Sequence, residues 1–202
     1  MKKIMFNDRY GLTQAVIEGR KTMTRRLIPD EFFGLTWDTR GNTLVYENEY
    51  GDFIDVRLSK YTRYKVGEIV SVAQNYSSFY NILDNTRPIP EGAGWDNKMF
   101  VRADLMPHQI RITGIRCERL QDIQDADCLK EGVRYIPKIN KFYFEGVRRE
   151  AGFYFDDHRE AFTMLIDKVS GRGTWASNPW GRGVRIRTCK IAMRWLTILQ
   201  NL

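Results

Sequence analysis

The chain has few of the residues that usually mark a metal, redox or cofactor site. Its three cysteines, Cys117, Cys128 and Cys189, are odd in number, lie far apart and form no C-x-x-C pair. That excludes a disulfide framework or a thiolate zinc site as the organising feature, and it reads as a reducing, cytoplasmic setting. Histidine occurs only as His108 and His158, so metal ligation would need carboxylates at no recognisable spacing. There is no G-x-x-x-x-G-K-[ST] phosphate loop, no G-x-G-x-x-G turn and no G-x-S-x-G elbow. Neither a cofactor nor a metal is expected. No apolar run approaches the roughly 18 residues that a membrane-spanning helix requires. The opening MKKIMFNDRYG lacks the continuous apolar stretch of an export signal. The last residues, KIAMRWLTILQNL, are apolar but short and carry Lys190 and Arg194, so neither export nor membrane anchoring is expected.

What is present is positive charge and apolar surface. The formal net charge is +7, and 43% of the 202 residues are hydrophobic and 13% aromatic. This is enough for one sizeable core, and a single domain over residues 1–202 is expected. A positive field raises the local concentration of polyanions, among which nucleic acid is the abundant one.

Leu12, Ala15 and Val16 recur at helical spacing between Gly11 and Gly19, which predicts a short helix over LTQAVIEG ending at a left-handed glycine. The threonines that follow favour extended chain. Residues 29–65 read as a decorating β insertion, with TLVYE and FIDVRL as strands between the turn signals Gly41-Asn42 and Gly51-Asp52. EIVSVAQ (68–74), KMFVRAD (98–104) and HQIRITGIRCERL (108–120) read as strands, with a bulge or bend at Gly114 and a Pro/Gly loop over 88–97. DADCLKEGV predicts a second short helix capped by Asp125, with Glu131 in its last turn. DDHREAFTMLIDKVSG predicts an amphipathic helix burying Ala161, Phe162, Leu165, Ile166 and Val169, capped by Asp156 or Asp157. A hairpin is expected over about 138–155. The fold class is α+β, a partly closed mixed barrel.

The chemistry concentrates in GRKTMTRR, residues 19–26. Arg20, Lys21, Arg25 and Arg26 surround Thr22 and Thr24. A lysine crowded by cations and drawn out of water loses part of its preference for charge, and neutral lysine is a competent base. A threonine hydroxyl becomes a nucleophile only when such a base takes its proton, and a carboxylate elsewhere would orient the pair. The plainer reading of the same run is a solvated basic face that meets phosphates. Tyr76, following a strand, is a candidate for stacking on an unpaired base.

Gly19, Lys21, Thr24 and Arg26 fit the G-x-K-x-x-[ET]-x-R signature of the ASCH domain, and the chain resembles that PUA-like β-barrel family. YKVGEIVSVAQ is similar to the family's glycine turn into a barrel strand, and IRITGIRCERLQDIQDADCLKEGV to its later strand and helix ending in Glu-Gly. With NKMFVRADLMPHQIRIT and GTWASNPW, the chain resembles the larger bacterial and phage members. The resemblance implies a PUA-like mixed barrel with short flanking helices, and RNA or a modified nucleoside as partner. Threonine at the variable position resembles the branch of small amidohydrolases that deacetylate N4-acetylcytidine. The implied roles are Thr24 as nucleophile, Lys21 as proton acceptor, Glu131 as proton relay or orienting group, and Arg26 as holding the barrel mouth or the substrate; Arg20 and Arg25, from the basic run, are the further candidates for contacting substrate or RNA. A non-catalytic RNA-binding module and a metal-independent ribonuclease remain the alternatives.

Overall fold

The computed structural model describes residues 1–28, 35–39, 43–57, 63–80, 92–146 and 154–189. Its centre is a five-stranded sheet in the order β1-β6-β7-β10-β2. The strands are β1 (Lys3–Ile4), β2 (Met23–Leu27), β6 (Ile69–Val72), β7 (Gln109–Arg119) and β10 (Trp180–Cys189). β1 runs parallel to β6, and every other pairing in this sheet is antiparallel. Among the described residues no pairing joins the edge strands β1 and β2, so the architecture is mixed α+β without a closed barrel.

β10 is an interior strand, paired with β7 on one side and with the edge strand β2 on the other. The GRGVRIRTC segment supports this through its alternation, since Val184 and Ile186 are buried while Arg185 and Arg187 face out. The register of β7 on β10 slips between Arg185 and Ile186, opposite Thr113 and beside Gly114, where the sequence places a bend.

Among the described residues four α-helices flank the sheet: α1 (Leu12–Ile17), α2 (Asp125–Lys130), α3 (His158–Ser170) and α4 (Thr174–Ser177). Asp157 caps α3 by accepting from the Arg159 and Glu160 amides, and Gly171 ends it. In α2, Gln124 rather than Asp125 holds the N-cap position, and no side chain caps it. Leu12 and Val16 of α1, Phe162 and Leu165 of α3, and the apolar faces of β6, β7 and β10 form the main core. Val169, expected in that core, is exposed. Trp175 instead meets Phe162 edge-on, with ring centroids 6.1 Å apart.

The insertion forms a separate sheet of β3 (Thr36–Asp38), β4 (Thr43–Glu47) and β5 (Phe53–Asp55). Ile28, Leu44, Val56 and Cys117 make its core, and Trp37 stacks on Trp180 at 6.0 Å. β3 was not expected. Residues 29–34, 40–42 and 58–62, including the Gly41-Asn42 turn, lie outside the described residues. In the hairpin expected at about 138–155, Phe142 pairs antiparallel with Phe155 through two backbone hydrogen bonds, at 2.9 and 2.8 Å; a second pairing, not expected, joins β8 (Arg134–Ile136) to β9 (Lys141–Tyr143). Residues 147–153 and 190–202 also fall outside the description.

KMFVRAD is not a strand. Residues 98–102 are turn and irregular chain, leading into a 3-10 turn at Ala103–Leu105. Its pattern was misleading because β6 already has β1 and β7 as neighbours. The Lys3 ammonium instead donates to the Met99 and Val101 carbonyls at 2.7 and 2.6 Å. Among the described residues no helix is long and apolar enough to cross a membrane.

Candidate functional site

The entry to β2 is fixed on both sides by backbone. The Lys21 amide donates to the Ala15 carbonyl of α1 at 2.9 Å, and the Thr22 amide donates to the Lys130 carbonyl of α2 at 3.0 Å. Gly19, at φ 74°, reverses the chain after α1, and Gly132, at φ 113°, does the same after α2. Residues 110 apart in sequence are thereby brought together.

The Lys21 ammonium donates to Glu131 Oε2 at 2.7 Å and to the Glu131 carbonyl at 2.6 Å. Arg25 Nη1 donates to Glu131 Oε1 at 2.8 Å, and Arg25 Nη2 donates to Glu118. The side chains of Lys21, Arg25 and Glu131 are 2%, 1% and 5% exposed. Each charge is out of water and tolerable only because it is paired. The network continues outward: Arg116 bridges Glu118 and Asp127, and Lys130 donates to Asp127 at 2.8 Å.

Burial pulls the Lys21 ammonium below the ordinary lysine value; the attraction and hydrogen bond of Glu131 oppose this, and repulsion from Arg26 and Arg25 adds to it. Burial also works against the Asp127 carboxylate, but hydrogen bonds from Lys130 and Arg116 outweigh it and hold that group below its usual range.

Thr24 lies elsewhere in the same strand. Its partner across β10 is Val184, whose partner on β7 is Ile115, so the three share one face of the sheet. Arg26 and Arg182 pair directly on that same face, whereas Arg25, opposite Gly183 and Arg116, is on the other. Thr24 is buried, and among the described residues its hydroxyl makes no hydrogen bond, to Lys21 and Glu131 included.

The remaining sequence candidates separate. Arg20 pairs with the exposed Glu18 at 2.5 Å. Arg26 donates to the Met5 carbonyl at 2.5 Å. Tyr76 is 3% exposed, its ring edge-on to Phe79 and Tyr80 and its hydroxyl accepting from the Arg102 amide at 2.8 Å. It packs a second cluster rather than presenting an open face. The structure therefore unites Lys21, Glu131 and Arg25, and leaves Arg20 and Tyr76 apart.

The face that carries Thr24 and Arg26 holds a cavity of about 220 Å³, lined by Lys3, Met5, Arg26, Arg63, Tyr64, Ile115, Arg182 and Val184. Sequence reasoning missed Lys3, Arg63 and Arg182 in this role, and also Glu118, Arg116 and Asp127 in the network. The alternating arginines of GRGVRIRT were the available signal for Arg182. For the others only the sheet order brings distant residues together. Among the described residues no group of three His, Cys, Asp or Glu is placed to hold a metal ion. Compared with known proteins, the chain matches no family model, no curated protein and no solved structure.

Proposed function

We propose that this protein recognises RNA or a modified nucleoside on an ASCH-type, PUA-like scaffold, and that it hydrolyses the N4-acyl amide of N4-acetylcytidine. The observation that carries the reading is the buried contact of Lys21 with Glu131 at 2.7 Å, made between the signature segment and the separate helix ending in Glu-Gly. In this mechanism the Thr24 hydroxyl oxygen attacks the acetyl carbonyl carbon while neutral Lys21 accepts the hydroxyl proton. The carbon–N4 bond then breaks, the proton passes to N4, and cytidine leaves. Water hydrolyses the threonine ester, giving acetate and restoring the hydroxyl. Glu131 holds the Lys21 side chain in place, and burial supports the neutral lysine this step needs. For the step to begin, Lys21 must give up a proton, release an acceptor on Glu131 and turn its neutral amine toward Thr24.

The test is incubation with free N4-acetylcytidine and detection of cytidine by mass. Product formation that disappears in Lys21→Met and Thr24→Val, with unchanged circular dichroism, supports the reading. No cytidine at high protein concentration overturns the hydrolase.

A second reading, RNA binding without turnover, is favoured by a specific observation: Thr24 is not hydrogen-bonded to Lys21, whose ammonium already serves two acceptors on Glu131. Under this reading RNA affinity falls steeply with salt, by roughly 0.7 log units per log unit of salt for each phosphate contacted, and no product forms.

A further inference from the structure

Among the arginines of GRKTMTRR, the structure takes Arg25 away from any substrate. Its side chain is 1% exposed and lies on the face of the sheet opposite to Thr24 and Arg26. Four elements hold it there. Its Nη1 donates to Glu131 Oε1 at 2.8 Å, at the end of α2, and its Nη2 donates to Glu118 on β7. Met23 Sδ, on its own strand β2, lies 3.5 Å from Nη1, and the Phe162 ring of α3 has its centroid 5.9 Å from the guanidinium carbon. To reach Glu118 the side chain must cross β10, and β10 carries glycine at both points: Gly183 opposite Arg25, and Gly181 opposite Glu118. A Cβ on Gly183 would already lie 3.5 Å from Arg116 Cγ and 3.7 Å from Glu118 Oε1, so a larger side chain would displace them. The GRG of β10 keeps this crossing open.

The Glu131 carboxylate thus serves two cations, Lys21 at Oε2 and Arg25 at Oε1. The hydrolytic step makes them unequal, because Lys21 must become neutral and turn to Thr24. With Lys21 as its only partner, Glu131 would then be a buried charge without a counter-ion and would draw the proton back. A guanidinium does not give up its proton, and its fork can hold two carboxylates at once. We propose that Arg25 is a positioning residue for the hydrolysis: it clamps Glu131 to Glu118, so that the carboxylate stays paired and in place while Lys21 leaves it for Thr24. This rests on the hydrolase reading above and adds to it the group that lets Lys21 go. Charge acts in the same direction: burial draws Lys21 below its ordinary value, Glu131 opposes this, and repulsion from Arg26 and Arg25 on β2 adds to it.

Two variants separate this role from contact with substrate. Arg25→Lys keeps a cation but loses the fork, so with N4-acetylcytidine kcat is expected to fall about a hundredfold while KM stays within about twofold. The double variant Arg25→Met, Glu118→Gln removes one charge of each sign, which keeps the buried network balanced. In it the midpoint of the Lys21 Cε titration, read by carbon-13 NMR, and the pH at which kcat/KM rises are both expected to move up, because Glu131 then acts on Lys21 alone. A merely structural arginine would leave both where they are, and an unmoved Lys21 midpoint overturns the proposal. So does a raised KM with unchanged kcat in Arg25→Lys, which would make Arg25 a substrate contact, or wild-type turnover, which would make it dispensable. If the double variant does not fold, the kcat and KM of Arg25→Lys decide. If the wild-type protein releases no cytidine, the hydrolase reading falls, and the Lys21 titration still decides the clamp: a raised midpoint upholds it and an unmoved one overturns it.

Discussion

Replacing Glu131 with alanine takes away a carboxylate shared by Lys21 and Arg25 and leaves two buried cations facing each other. Lys21 keeps the residue 131 carbonyl as an acceptor, at 2.6 Å in the native protein, and Arg25 keeps Glu118. Removing one partner of a buried ion pair typically costs about 3–5 kcal/mol, and these retained contacts place the loss toward the lower end. For a chain of this size, about 2–4 °C of melting temperature corresponds to each kcal/mol, so a fall of roughly 6–12 °C is expected by calorimetry. The pH dependence gives a sharper check. Lys21 is already below its ordinary value, and without Glu131 the groups that lower it act unopposed. Between the folded value and the higher unfolded one, the unfolded state binds more protons, so stability contributed by this group rises with pH. The deficit of Glu131→Ala relative to wild type is therefore expected to shrink as pH rises from the variant's further lowered Lys21 value to the wild-type one, and to stay level from there up to 10.5, the ordinary value. In the double variant Lys21→Met, Glu131→Gln, most of the loss is recovered, because Arg25 retains an acceptor and the unpaired ammonium is gone. A Glu131→Ala loss below about 1 kcal/mol, the scale of exposed pairs, refutes the claim that this network is buried and interdependent.

Gly132→Ala forces a side chain onto a residue at φ 113°, where its Cβ would lie 2.7 Å from Leu12 Cδ2; a loss of about 1–3 kcal/mol is expected in chemical denaturation, together with displacement of Glu131. Thr24→Val removes a hydroxyl without a hydrogen bond among the described residues, so stability is expected to stay within about 1 kcal/mol while N4-acetylcytidine turnover is lost. Burial pushes the Cys117 thiol up to about 11 and the Cys128 thiol up to about 12, so at neutral pH neither is expected to react readily with iodoacetamide. The partly exposed Cys189 should be alkylated first, as mass mapping of the three peptides will show.

Elements with strong local patterns were readable before the structure. The α1 helix, the extended GRKTMTRR segment, β4, β7 and α3 follow their periodicity and turn residues, because local burial and local propensity agree there. KMFVRAD fails because its apolar residues do not select a partner strand: Met99 and Phe100 remain exposed, and a lysine ammonium takes the carbonyls that a neighbouring strand would have used. β3 and β8 are three residues each and too short to show alternation. At the candidate site, Lys21 and Glu131 were named from sequence. Their enclosure by Arg25, Glu118, Arg116 and Asp127 depends on which face of β2 and β7 turns toward α2, a register property with no local signature. The same face rule puts Thr24 beside Arg26 on the face that holds the cavity and sends Arg25 to the ion network, although the three are near neighbours in the chain.

The mechanism requires that burial outweigh Glu131 at Lys21. Carbon-13 NMR titration of lysine Cε resonances, with the Lys21 signal assigned by its loss in Lys21→Met, measures this directly. A midpoint below the ordinary lysine value of 10.5 is the expected result. A midpoint at or above that value would contradict the account, because Lys21 would then be a permanently charged partner of Glu131 and no base for Thr24.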